Sequence, residues 1–226
     1  MRVENHTIGS IMHIVKRGAR GIDITADLSD RVRFKRLLFY VNDLYQDNNF
    51  GTAIDTLEFF ERPKTWPDRE PLVNILAWTL VPNHFHLILE EIRDSGIAKF
   101  MQRLCGSMSS HSNAKYKTSG SLFQGAYRGK VITTDSYLRQ VFCYVIIKNV
   151  FELHPRGLNY AIKNFDAVWR WALKYKSSSF ADSVLKTGSP ILTEHELFKD
   201  ISDSKKFKKE ALELLKIHQN FAELEK

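Results

Sequence analysis

The chain has 226 residues, 43% of them hydrophobic, 12% aromatic and 26% charged. That composition suits a packed globular protein and excludes a disordered or fibrous one. The net charge of +7 and pI near 9.3 point to polyanionic partners, of which nucleic acid is the usual one.

Taken in chain order, residues 8–16 (IGSIMHIVK) read as a strand rich in β-branched residues, closed by Arg17-Gly18. Residues 27–44 follow with a helical beat, Leu37, Leu38, Val41 and Leu44 sharing a face and Asp27 or Ser29 capping the start. Residues 60–71 hold Pro63, Pro67 and Pro71 and read as a loop. The apolar run 72–81 suits a buried central strand. Pro82-Asn83 breaks it, and 84–90 (HFHLILE) resumes as an antiparallel partner. Residues 95–117 are helical, with Ile97, Phe100, Met101, Leu104 and Met108 at spacings of three and four. A short strand at 127–132 precedes a regular helix from Ser136 to about Val150, capped by Thr134 or Asp135. Beyond Asn164 the pattern is helical, through Trp169 to Trp171 and residues 194–224.

The order strand, helix, strand, strand, helix, strand, helix predicts an α+β fold: a ferredoxin-like βαββαβα core with an antiparallel sheet and helices on one face. Residues 1–165 form the expected catalytic-type core, and 166–226 a helical C-terminal extension. Two cysteines, Cys105 and Cys143, exclude a disulfide framework and fit a reduced, cytoplasmic setting. Apolar runs such as 75–82 are too short to span a bilayer, and no membrane partner is expected.

The strongest chemical signal is Val81-Pro82-Asn83-His84-Phe85-His86-Leu87-Ile88-Leu89. Residues two apart on a strand share a face, so His84 and His86 project together and can hold one divalent metal. A bare His-x-His is more often a pair of ordinary sheet residues, and its context matters. The order apolar strand, Pro-Asn-His-x-His, apolar strand resembles the HUH motif of single-tyrosine transposases, above all the REP-associated (IS200-like) tyrosine transposases. Three further pieces are similar to that family in the same order. They are His13 to Gly18 as an opening strand and Arg-Gly turn, Gly120 to Arg128 before the last core strand, and Tyr137-Leu138 with Tyr144-Val145 on the final core helix.

The resemblance implies a single-strand DNA transposase, or nicking endonuclease, acting on hairpin-associated DNA. Its histidines would bind Mg²⁺ or Mn²⁺, which polarises the scissile phosphate, and a tyrosine would form a 5′-phosphotyrosine link that lets the strand be rejoined. The implied ligands are His84 and His86, and the implied nucleophile is Tyr144, with Tyr137 as runner-up. Free tyrosine has a pKa of about 10, so the metal's charge is needed to favour the phenolate.

One departure stands out. Four residues after the tyrosine the family carries an Asn or Gln that supplies the third metal ligand, and here Lys148 stands instead. A protonated lysine cannot ligate a cation. Three explanations are open: Lys148 is neutral or contacts a DNA phosphate, another residue completes the site, or metal affinity is impaired. Gln140, one turn before Tyr144, offers a carbonyl oxygen, whereas Asn149 points about 140° away from Tyr144 on an ideal helix. Arg17, Arg20, Arg128, Lys130 and Lys148 are candidate phosphate contacts, with Phe123 and Tyr127 as stacking surfaces, while Trp169, Trp171 and the Lys205 to Lys209 segment read first as a helical support covering the sheet and second as an extension of the binding surface. The alternative function is a catalytically impaired protein of the same fold that only binds hairpin or single-stranded DNA. A monomer and a homodimer both fit the sequence.

Overall fold

A computed structural model describes residues 3–47, 59–196, 198 and 204–217. The expected order is present: β1 (Ile11–Arg17), α1 (Leu28–Tyr40), β2 (Val73–Val81), β3 (His84–Glu91), α2 (Gly96–Tyr116), β4 (Arg128–Ile132) and α3 (Asp135–Cys143). The strands lie in the order β2-β3-β1-β4 with every neighbouring pair antiparallel, which is the ferredoxin-like arrangement. Part of the helical pattern foreseen over 194–224, namely 197, 199–203 and 218–224, lies outside the described residues.

Local chemistry explains where the helices begin. Asp27 caps α1 by accepting the Asp30 N–H at 3.1 Å, while the Asp30 carboxylate accepts the Asp27 N–H at 3.4 Å, a reciprocal box. Lys115 and Tyr116, at the far end of α2, donate to the same Asp30 carboxylate at 2.8 and 2.7 Å, tying the two helices together. The N-terminus of α2 is held by Glu91 of β3, which accepts from the Gly96 and Ile97 N–H groups at 2.6 and 3.1 Å. Thr134 caps α3 by accepting the Tyr137 N–H at 3.2 Å.

Strand alternation sorts side chains between two faces. Met12, Ile14, Ile75, Trp78, Phe85, Leu87 and Leu89 pack with α1 and α2 in one apolar cluster. Leu76, Ala77 and Ile88 face the other way, into a second cluster built with α3 and the C-terminal helices. The sheet is therefore covered on both faces rather than on one. The second cover comes from chain beyond β4: α4 (Asn149–Glu152), α5 (Gly157–Lys163), α6 (Phe165–Ala172), α7 (Phe180–Leu185) and α8 (Ser204–Ile217).

Two details depart from a regular pattern. Tyr144–Lys148, expected within one continuous α-helix, is a π-helical turn in which the Asn149 N–H bonds to the Tyr144 carbonyl. Along β2, residues 177–179 add an extra extended segment: Leu80 N–H donates to Ser177 O at 2.9 Å and Ser179 N–H donates to Trp78 O at 2.8 Å. At the opposite edge, the Glu4 N–H donates to Gly129 O of β4 at 3.0 Å. Among the described residues no helix is long and apolar enough to cross a membrane.

Candidate active site

The second face of the sheet carries polar groups at its centre. By register, Arg17 pairs with His84, Val15 with both His86 and Arg128, and His13 with Lys130, so all these side chains project to one side. His86 is fully buried and His13 is 3% exposed, while His84 is half-buried. The His84 and His86 rings lie 4.8 Å apart between centroids, as the two-residue spacing on a strand demands.

Each imidazole has a partner on its Nδ1. His84 Nδ1 meets Asn83 Oδ1 at 2.7 Å, and because an amide oxygen only accepts, Nδ1 carries the proton and Nε2 keeps a lone pair. His86 Nδ1 meets His13 Nε2 at 3.0 Å, and His86 Nε2 is buried without a hydrogen-bond partner. Burial, then the positive field of Lys130, lowers the His13 pKa to about 4. Burial first, then the neighbouring His13, His84, Arg17 and Lys148, pushes His86 well below its ordinary value. Both rings are neutral at pH 7, the state a metal ligand requires.

Tyr144 sits on this histidine group. Its ring packs edge-on against His86 at 5.3 Å and against His13 at 5.8 Å, and it is 0% exposed. The side chain of Thr79 on β2 donates to the Val145 carbonyl, pinning the π turn to the sheet beside the tyrosine. Lys148 lies over the Tyr144 ring at 5.3 Å and pairs with Glu152 at 3.0 Å, so its ammonium faces the tyrosine and a carboxylate at the rim.

The π turn changes which residue follows Tyr144 in space. Its hydrogen bond spans five residues instead of four, so one extra residue fits into the turn. Asn149 then occupies the place one turn beyond Tyr144 that a regular helix would give to Lys148. The sequence expectation that Asn149 points away rested on α-helical geometry, which this segment does not have. Asn149 is 4% exposed and lines a cleft of about 330 Å³ with Arg17, Asp23, Asn83, His84 and Glu152. Its Nδ2 is buried without a hydrogen-bond partner, and a rotation of the amide exchanges that atom with the ligating oxygen. Gln140 is half-buried on α3 and does not line this cleft.

Among the described residues no group of three or more His, Cys, Asp or Glu side chains is placed to hold a metal, and the Asn149 amide is an oxygen donor lining the same cleft as His84. The residues fit a hard divalent ion on that basis. Two imidazole Nε2 atoms and a carboxamide form an N/O donor set, and two members have buried polar atoms with no protein partner.

The remaining cationic candidates are spread along the same face. Arg17 lines the cleft. Arg128 and Lys130 are exposed on the outer strand β4, and Lys130 lies over the Tyr137 ring at 5.4 Å. Arg20 is exposed in a left-handed conformation (φ 56°) within the short turn Ala19–Gly21 after β1. Gly18 lets that turn approach the hairpin: its N–H donates to Asn83 O at 2.8 Å, and a Cβ there would lie 2.2 Å from the Ile22 carbonyl. Phe123 is buried on the opposite face, within the first apolar cluster, and is a core residue. In α8, Lys208 pairs with Asp166 at 3.3 Å and lies over Trp169 at 5.1 Å, and Trp169 is buried.

Two site residues escaped the sequence reading. His13 was seen only as part of an opening strand, although a histidine on an inner strand with two-residue alternation is a signal for this face. The reading of Asn149 as pointing away from Tyr144 assumes α-helical geometry, and the π turn at Tyr144–Lys148 departs from it.

Residues 68–147 match the family model described as "Transposase IS200 like", a span that contains His84, His86 and Tyr144. A solved structure of a REP-associated tyrosine transposase bound to a REP hairpin is similar at 14% identity, with a TM-score of 0.45, over 86% of this chain and 90% of that one. No curated protein matches the chain.

Proposed function

We propose that this IS200-like chain is a DNA-processing enzyme that cuts and rejoins single-stranded, hairpin-associated DNA through Tyr144. The observation that carries the reading is the packing of the Tyr144 ring on the histidine pair, 5.3 Å from His86. In the proposed reaction the Tyr144 oxygen attacks the scissile phosphorus and forms a 5′-phosphotyrosine bond. The phosphorus–oxygen bond to the neighbouring nucleotide breaks, and that nucleotide leaves as a free 3′-hydroxyl. Attack by a 3′-hydroxyl on the phosphotyrosine reverses the step and restores a phosphodiester, so no nucleotide cofactor is consumed.

His84 and His86 through Nε2, and Asn149 through its amide oxygen, would hold Mg²⁺ or Mn²⁺. When bound, that ion supplies Lewis-acid polarisation of the phosphate. The other tasks belong to the chain. Arg17, at the cleft, and Arg128 and Lys130, on the outer strand, neutralise phosphates on the approach, with Arg20 at the adjoining turn. Lys148 lies beside the phenol and contributes positive charge where negative charge develops. Because Tyr144 is 0% exposed, it reaches DNA only after a movement of the π turn or its side chain. The Lys148–Glu152 pair at the rim is the contact that such a movement breaks.

The test is a labelled single-stranded hairpin mixed with protein and Mn²⁺ and run on a denaturing gel. Label attached to the wild-type protein and absent from Tyr144→Phe is the expected result. Binding of the hairpin with no adduct, over a broad set of hairpins and ions, would leave only the second reading, a protein that recognises such DNA without cutting it. The complete burial of Tyr144 is the observation that favours that second reading.

A further inference from the structure

Two histidines on neighbouring strands share one hydrogen bond in the interior, and only one of them belongs to the His-x-His motif. His13 Nε2 and His86 Nδ1 are 3.0 Å apart, and the ring planes lie within 11° of parallel with their centroids 5.3 Å apart. Both rings are buried, where a charged imidazolium is disfavoured, so each is taken as neutral with a single ring proton. A hydrogen bond between two neutral imidazoles needs one proton between the facing nitrogens, which leaves two arrangements. If His13 Nε2 holds it, His86 must carry its own proton on Nε2, where no hydrogen-bond partner accepts it. If His86 Nδ1 holds it, His86 Nε2 is a bare lone pair. The first arrangement buries an unanswered donor and presents a proton to an incoming cation. The second buries only a lone pair and presents it.

We infer that His13 is a positioning residue for His86, accepting its Nδ1 proton so that Nε2 is locked as a ligand for a hard divalent cation. This rests on the proposed metal role of His84 and His86. Asn83 performs the same task for His84, also through Nδ1, at 2.7 Å. The two ligands are thus oriented by unlike partners. The Asn83 contact joins sequence neighbours at a hairpin, while the His13 contact spans two strands and holds the two ring planes nearly parallel, which also fixes the plane of the imidazole. Tyr144 packs edge-on against both members of the pair, so His13 sets part of the tyrosine's seat as well.

The test uses metal binding and proton position. Mn²⁺ alone is titrated into wild type, His86→Ala, His13→Leu and His13→Gln by calorimetry, with thermal melting of each variant. His13→Leu removes the acceptor and is expected to weaken Mn²⁺ binding by about 10- to 100-fold. His13→Gln, whose Oε1 takes the place of Nε2 and only accepts, is expected to recover most of that loss. Wild-type affinity in His13→Leu, with binding lost in His86→Ala, overturns the role of His13 and leaves the ligand pair standing. Equal Mn²⁺ binding by wild type and His86→Ala, or none by either, overturns both. If His13→Leu does not fold, ¹⁵N NMR of histidine in metal-free wild type decides. A proton on His86 Nδ1 supports the inference and a proton on Nε2 overturns it.

Discussion

The two faces of the sheet bury side chains of different kinds. Against α1 and α2, the sheet presents aromatic and aliphatic groups, Phe34 resting on Trp78 and Phe85 at 6.1 and 5.1 Å. On the other face the centre is His13, His86 and Tyr144, ringed by apolar residues of the C-terminal helices. Burying imidazoles costs free energy that Leu or Phe at the same positions would not. The first face is built for stability. The second gives up some of it to hold neutral nitrogens and a phenol in fixed positions, as expected where a site and not the fold sets the residue types.

That contrast is open to direct attack. Phe34→Ala should destabilise the protein by about 3–5 kcal/mol in urea unfolding, the usual cost of emptying an aromatic site in a core. His86→Leu should abolish the protein–DNA adduct yet change stability by about 2 kcal/mol or less, since a desolvated imidazole is replaced by an apolar group. A stability loss in His86→Leu as large as that in Phe34→Ala would erase the distinction.

A smaller effect lies at the end of the first face, where Asp30 joins α1 to α2. Burial raises the Asp30 pKa, but hydrogen bonds from Lys115, Tyr116, the Ala26 N–H and His111 outweigh it, and the net shift is downward. A carboxyl group lowered on folding adds stability above its unfolded pKa of about 4, and that stability is lost as pH falls through the folded value. Asp30→Asn should therefore cost about 2 kcal/mol at pH 7. Its deficit relative to wild type should shrink as pH falls below about 4, as followed by thermal melting across pH. Smallest of all, Arg128→Ala on the exposed strand β4 should weaken hairpin binding uniformly across sequences. It should also reduce the slope of log affinity against log salt by about 1, with no change in melting temperature.

How much of this was legible in the sequence follows from what each feature depends on. Strand and helix order came from periodicity and from turn residues such as Pro82-Asn83, both local, and the antiparallel sheet followed. The pairing of His84 with His86 is a property of any strand. The placing of Tyr144 beside His86 came through family resemblance, because a tyrosine on an amphipathic helix is otherwise packing. The second cover of the sheet depends on long-range burial of Phe151, Trp169 and Phe180, which no short window reveals. The place of Asn149 was missed for a different reason. The rule of 3.6 residues per turn was applied to a segment that accommodates an additional residue as a π turn, and a single change in helical period rotates every later side chain. His13 needed the register between β1 and β3, which places it diagonally from His86.

The treatment of the sheet's borders has a consequence for assembly. The backbone of β2 already bonds to residues 177–179, and that of β4 meets Glu4 through Gly129. Outer strands with unmet amides are the templates on which chains polymerise or merge their sheets. Here both flanks are occupied, at least in part, by the molecule's own chain. A second copy that sought to lengthen the sheet would first have to peel that chain away, so self-association has its easier route through side chains on the helices.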